Sequence, residues 1–362
     1  MSKIILSQAP ARICLFGDHQ DYLQLPVIAC AIDRKIQIKA EVNDRNCFFI
    51  HKINTNESVT FPLSTDKITI TKTDYLQTSL RVLSRYGCIP NRGYDVEING
   101  DIPINAGLSS SSALTIAWIQ FLIEAYGIEE EVTPDLIALL AYETEVLEHN
   151  TAGGKMDQFT IALGNMIYLN TFNNNYTNFS NPIGQLVIGV SGIAKDTFSS
   201  LSYLKENSLK AIDQVKQKLI SFEISKALIS DLEYYLTFVS LDLAPFLRAA
   251  ITNHHLTKLA KLELEKKNPD IISLGKLMNL HHEQLQNNLK ITTPKIDEMI
   301  NAVLDSGAYG AKIVGSGGGG CIVALTDQNN TKDIIESLKN IGAVDAFSVV
   351  QSRGSKSKKT IL

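Results

Sequence analysis

The chain has 362 residues, 44% hydrophobic and 20% charged, a length and composition that suit two domains, or one large one, with ample core to bury. Its 34 Lys and Arg stand against 38 Asp and Glu, and the net charge of −4 excludes a global basic field for nucleic acid or an anionic membrane. No run reaches the roughly 20 apolar residues of a membrane span, the start lacks a leader pattern, and five scattered cysteines without a C-x-x-C pair suit neither a disulfide framework nor a zinc site, so a cytoplasmic α/β enzyme is expected.

Short β-rich runs open the chain: 3–6, 11–16, 27–31 and 36–42 read as strands. Apolar spacing turns helical from Asp74 to Tyr86, and Tyr94–Ile98 returns to a strand. A turn at Pro103–Gly107 and a serine run lead into an apolar helix, Ala113–Tyr126. Pro134–His149 keeps helical intervals, and 165–170 is strand-like. Residues 170–182 hold six asparagines with Ser, Thr and Pro, the strongest loop signal in the chain. A boundary there divides the chain into domains 1–181 and 182–362. Beyond it come a strand at 186–192 and amphipathic helices from Tyr203 to about Asp305. Strands at 311–314 and 321–325 bracket a glycine run, and a helix at 332–341 and a strand at 346–351 follow. Lys356, Lys358 and Lys359 read as a solvated tail.

Four segments carry chemistry. In Asn105-Ala-Gly-Leu-Ser-Ser-Ser-Ser112, serines crowd a helix start, where free N–H groups and the positive dipole end favour an anion. Ordinary serine capping is the competing reading. Gly315–Gly320 contains G-x-G-x-x-G, but a strand follows it where a dinucleotide fold needs a helix. Backbone contact with a ligand and a plain hairpin turn both fit it. Arg12 with Gly17-Asp-His-Gln-Asp-Tyr22 suits a polyhydroxylated ligand, or a solvated turn. In Gly153-Gly-Lys-Met-Asp-Gln158, Asp157 is either a base or a helix cap. The adjacent pairs His254–His255 and His281–His282 lack metal spacing and read as surface or packing residues.

In this order the motifs resemble the GHMP kinase superfamily, and within it the galactokinase branch. Pro10-Ala-Arg-Ile-Cys-Leu-Phe-Gly-Asp-His-Gln-Asp-Tyr22 is similar to the signature P-G-R-V-N-L-I-G-E-H-T-D-Y, and Gly154-Lys-Met-Asp-Gln158 to G-I-M-D-Q. Gly107–Ser111 resembles the central phosphate loop, and Gly315–Cys321 the third, glycine-rich motif. The resemblance implies an α+β two-domain fold, with a ribosomal-S5-like N-terminal domain and a ferredoxin-like C-terminal one. It implies an ATP-dependent kinase acting on the anomeric hydroxyl of galactose or a galactose-like sugar, with Mg²⁺. Sugar and ATP would be its partners, with no nucleic acid and no membrane.

Residue by residue, the resemblance makes Asp157 the base or the charge beside the attacking hydroxyl, and Arg12 its steadying cation. Asp18, His19, Asp21, Tyr22, Gly154 and Tyr203 would meet the sugar. Asn105, Gly107, Leu108, Ser109, Ser110, Ser111 and Ser112 would hold ATP, and Ser111 with Glu145 the metal. The sequence departs from galactokinases at Asp18 (Glu there), at Gln20 (Thr) and at Leu23-Gln24-Leu25 (Asn-Asp-Gly), all near the sugar contacts. A mevalonate-type kinase and a catalytically silent sugar- and ATP-binding regulator are the alternatives.

Overall fold

The computed structural model describes residues 3–63, 74–179, 181, 183–194 and 197–361. The first lobe begins with two long strands, β1 (Lys3–Phe16) and β2 (Val27–Asn43), and a hairpin, β3 (Cys47–Lys52) and β4 (Glu57–Pro62). Helix α1 (Tyr75–Ser84), strand β5 (Gly93–Gly100) and helices α2 (Ser110–Tyr126), α3 (Pro134–Tyr142) and α4 (Met156–Leu163) follow. Strands β6 (Met166–Leu169) and β7 (Tyr176–Phe179) close this part.

The second lobe contains β8 (Gln185–Val190), α5 (Thr197–Lys218), α6 (Leu232–Leu236), α7 (Ala244–Leu264), α8 (Ile271–Glu283) and α9 (Pro294–Asp305). It continues with β9 (Gly310–Ile313), β10 (Cys321–Thr326), α10 (Thr331–Asn340) and β11 (Asp345–Val349), before β12 (Lys356–Ile361).

Where four short strands were expected at the start, two continuous ones form. The punctuation between them is a register shift at Pro10/Ala11, a bulge that bends the ladder without ending it. The asparagine-rich segment is shorter as a loop than its composition indicates. It turns on Asn170–Asn175, with Asn174 in the left-handed region, and β7 then pairs back on β6. Pro182, at the boundary read from composition, lies outside the described residues.

The C-terminal lysines are not a free tail. Strand β12 pairs antiparallel with β1 from Lys3↔Ile361 to Gln8↔Lys356, so the chain returns to complete the first sheet. That sheet runs β12-β1-β2-β5-β3-β4, with β6 and β7 attached to β2. A single cut at 181/182 therefore places β12 on the wrong side of its own sheet.

The second sheet runs β11-β8-β10-β9, all antiparallel. Relative to chain order this is fourth-first-third-second, the ferredoxin-like arrangement expected. Mixed α/β architecture in two lobes holds throughout.

Local chemistry explains several helix starts. Thr133 and Thr293 precede Pro134 and Pro294, and each threonine hydroxyl accepts the N–H three residues on, from Leu136 and Ile296. The helix read over 134–149 changes pitch at Glu143–Leu147, where Glu148 N–H donates to Glu143 O in a π-helical turn.

The first lobe's core centres on Phe48, fully buried on β3. Its ring lies 5.3 Å from Trp118, 5.4 Å from Phe61 and 6.3 Å from both Phe121 and Tyr126. Phe48→Ala should lower the unfolding free energy by about 3–5 kcal/mol. Urea denaturation checks this, and a loss under 1 kcal/mol would contradict the packing described.

Candidate active site

One cleft of about 540 Å³ gathers most of the residues singled out from the sequence. Arg12, Asp18, His19, Asp21 and Tyr22 line it from the end of β1 and the following turn. Asn105, Gly107 and Ser109–Ser112 line it from the start of α2. Glu145, Gly154 and Asp157 come from the π-helical turn and the start of α4, and Gly315 and Ser316 from the glycine run.

At its centre Arg12 forms a two-pronged ion pair with Asp157: Nε donates to Oδ1 and Nη2 to Oδ2, both at 2.7 Å. The third guanidinium nitrogen, Nη1, donates to Gly107 O at 2.6 Å, joining the pair to the serine loop. Ser109 adds its hydroxyl to Asp157 Oδ2. Burial works against the Arg12 charge, and Asp157 outweighs it, leaving the guanidinium more basic than usual.

The serine run does not cap α2 in the ordinary way. Ser109, the residue before α2, sits at φ 59° and makes no side-chain cap. Its hydroxyl is spent on Asp157, so the first N–H groups of α2 face the cleft without a capping side chain. Ser110 and Ser111 are partly or fully exposed there, whereas Ser112 is buried and donates to Glu145 Oε2 at 2.8 Å.

The π-helical turn aims Glu145 inward. Thr115 donates to Oε1 at 2.8 Å and Gln158 to Oε2 at 2.5 Å. Burial raises this carboxyl to about 7 despite those three bonds, because no cation accompanies it. Such a group suits a metal ion. Among the described residues no cluster of three or more His, Cys, Asp or Glu exists, so a hydroxyl, phosphate oxygens and water would complete the coordination.

On the opposite side, Asp21 faces Gly154 so closely that any Cβ at 154 would overlap its carboxylate. Burial, then repulsion from Asp157, raises Asp21 to about 6. His19 stands at φ 61°, with Nδ1 3.2 Å from the Tyr22 hydroxyl.

Two expected site residues lie elsewhere. Tyr203 is 61% exposed and packs edge-on against Phe246, while Leu201, two residues earlier on α5, lines the cleft. Leu108 is buried, and it contributes its carbonyl to Arg12 N–H at 3.2 Å. The histidines behave as packing groups: His281 accepts from Gly17 N–H and His282 from Ile313 N–H. Sequence reading missed Thr115, Gln158 as a Glu145 partner, and Lys312. A lone lysine in the apolar run Ala311-Lys-Ile-Val314 was the available signal for the last.

Three family profiles match the chain and together span more than half of it. They are described as a galactokinase galactose-binding signature (residues 2–41), the GHMP kinases N-terminal domain (74–165) and the GHMP kinases C-terminal domain (258–344). The chain belongs to the GHMP kinase family.

Among curated members, a galactokinase of Pyrococcus furiosus is 29% identical, with 93% of each chain covered. A mevalonate kinase of Pyrococcus horikoshii is also 29% identical, with 98% of each covered. The structure of Lactococcus lactis galactokinase complexed with galactose superposes with a TM-score of 0.86 at 21% identity, covering 99% of this chain and 95% of that one. This GHMP kinase is accordingly an ATP-dependent phosphotransferase. Among its described residues no helix is long and apolar enough to cross a membrane.

The Asp21 carboxyl makes the site pH-sensitive. As pH falls through about 6 it protonates and loses acceptor capacity, so KM for the acceptor should rise there. Asp21→Asn should flatten that profile. Because the folded value lies above the ordinary 3.8, its stabilising contribution is complete below about pH 4 and lost as pH rises through 6. The same variant should therefore melt higher than wild type at pH 8, and an unchanged melting point would contradict the burial of this charge.

Proposed function

We propose that the chain transfers the γ-phosphoryl group of ATP to the anomeric hydroxyl of galactose or a galactose-like sugar. The carrying observation is the Arg12–Asp157–Ser109 cluster. It stands between a helix start suited to phosphate and the turn Asp18–Tyr22, within the segment that matches the galactose-binding signature.

In this reading the acceptor oxygen attacks the γ-phosphorus, the bond to the β-phosphate oxygen breaks, and the hydroxyl proton passes to Asp157. Arg12 and Ser109 hold that carboxylate in one orientation. An ion-paired carboxylate is a modest base, which suits a loose transition state needing position and charge more than early proton removal. The main chain of Gly107 and serines 109–112, with the open hydroxyls of Ser110 and Ser111, takes the phosphates, with Asn105 at the mouth of that loop. Ser111 and Glu145 would hold Mg²⁺, which neutralises phosphate charge. Asp21, His19, Tyr22 and Gly154 form the sugar side. The two lobes correspond to 1–181, completed by β12, and the rest of 182–362.

ADP release with galactose, fucose, arabinose, heptose phosphates and mevalonate tests the reading. Turnover with one or more sugars and none with mevalonate is expected. Turnover with mevalonate alone would establish the isoprenoid alternative, and ATP binding without turnover the silent regulator. Asp157→Asn should reduce kcat by about 10²–10⁴-fold with the ATP dissociation constant nearly unchanged. A variant with wild-type kcat would remove Asp157 from the mechanism.

A further inference from the structure

Lys312 occupies the middle of β9 with its whole side chain out of solvent. An ammonium buried so deeply needs several oxygens around it. It has three: Asp18 Oδ2 at 2.6 Å, Ile313 O at 2.7 Å and Cys14 O at 3.0 Å. Two of these come from the other lobe.

The adjacent histidines add no charge, since burial and Lys312 hold His281 down to about 3 and His282 to about 4. Burial also works against the Asp18 charge, yet the Lys312 ammonium beside it lowers its carboxyl to about 2. Asp18 is thus a permanent anion matched to Lys312.

Its second oxygen is engaged too. Asp18 Oδ1 accepts from Gly315 N–H at 3.1 Å. Gly315 opens the glycine run, where Gly315, Gly317, Gly318, Gly319 and Gly320 all have positive φ. A conformation of this kind is held by main-chain bonds, because no side chains are present to pack it. Ser316, the next residue, lines the cleft with the serine loop.

Gln20 is spent in the same direction. Its amide donates to Ala250 O at 3.1 Å, and its carbonyl accepts from Thr257 at 3.4 Å. Leu23 and Leu25 are buried in the second lobe's core. Asp18 and Gln20, two of the polar side chains at which this turn departs from galactokinases, therefore anchor it to the second lobe.

We infer that Lys312 is a positioning residue for the nucleotide: through Asp18 it fixes Gly315 and the glycine run, and Asp18 is not a ligand of the acceptor. The inference rests on the reading of the cleft as an ATP-dependent sugar kinase, and deepens it. Acceptor recognition then falls to Asp21, His19 and Tyr22.

The decisive variant is Asp18→Leu/Lys312→Met, which removes both charges together and leaves neither buried alone. Thermal melting verifies folding, calorimetry gives the ATP dissociation constant without acceptor, and steady-state kinetics give both KM values. Expected are a rise of about tenfold in the ATP dissociation constant and in KM for ATP, with KM for the acceptor within twofold. Should the double variant fail to fold, Asp18→Asn serves. Its carboxamide oxygen still accepts from Gly315, so a smaller ATP loss and an unchanged acceptor KM are expected.

A tenfold rise in acceptor KM with ATP binding intact would make Asp18 a sugar ligand and overturn the inference. Unchanged values for both substrates would reduce the pair to a structural tie and overturn it equally. Wild-type protein that fails to bind ATP would overturn the kinase reading itself, whereas wild type and variant binding ATP equally well overturns this inference alone.

Discussion

The two-pronged bond between Arg12 and Asp157 is the interaction on which the site depends. Arg12 lies on β1 of the first sheet, Asp157 in the first turn of α4, and Gly107 and Ser109 in the loop before α2. Three sequence-distant segments meet around one guanidinium. Its planar fork sets the carboxylate's plane as well as its position, which a lysine at the same place would not do. Removing either partner would leave the other charge largely buried and uncompensated, a cost of several kcal/mol. Geometry and stability are here one constraint.

A second constraint joins the lobes. The turn after β1 belongs to the first lobe by sequence, yet Tyr22, Leu23 and Leu25 sit in the second lobe's core. Lys312 and Asp18 cross the same junction with a buried ion pair. Strand β12 crosses in the other direction, completing the first sheet from the chain's end. The acceptor side of the cleft and the glycine run are therefore one mechanical unit, facing the serine loop and Asp157 across the opening.

Much of this was legible in the sequence because the chemistry is local. Arg12, the serine run, Asp157 and the glycine run each announce themselves through residue type and spacing, and the cleft brings all four together. What escaped reading depends on distant partners. Strand β4 is mostly exposed and polar, so no alternation marks it, and its pairing with β3 makes it a strand. Strand β12 mixes lysine with serine and threonine, a composition shared by a solvated tail and an edge strand; pairing with β1 decides. The gap between the strands read at 3–6 and 11–16 contains Pro10, which in an antiparallel ladder marks a bulge. Asp18 and Gln20 read as sugar contacts or turn residues, and only the fold shows Lys312, Ala250 and Thr257 waiting for them.

The account stands or falls on where the phosphate goes. The direct measurement is phosphorus–proton correlation NMR on the product made from ATP and the best sugar of the panel. A phosphorus coupled to the anomeric proton is the predicted result. Coupling to any other position of the sugar, or phosphate found on mevalonate and not on a sugar, would contradict it.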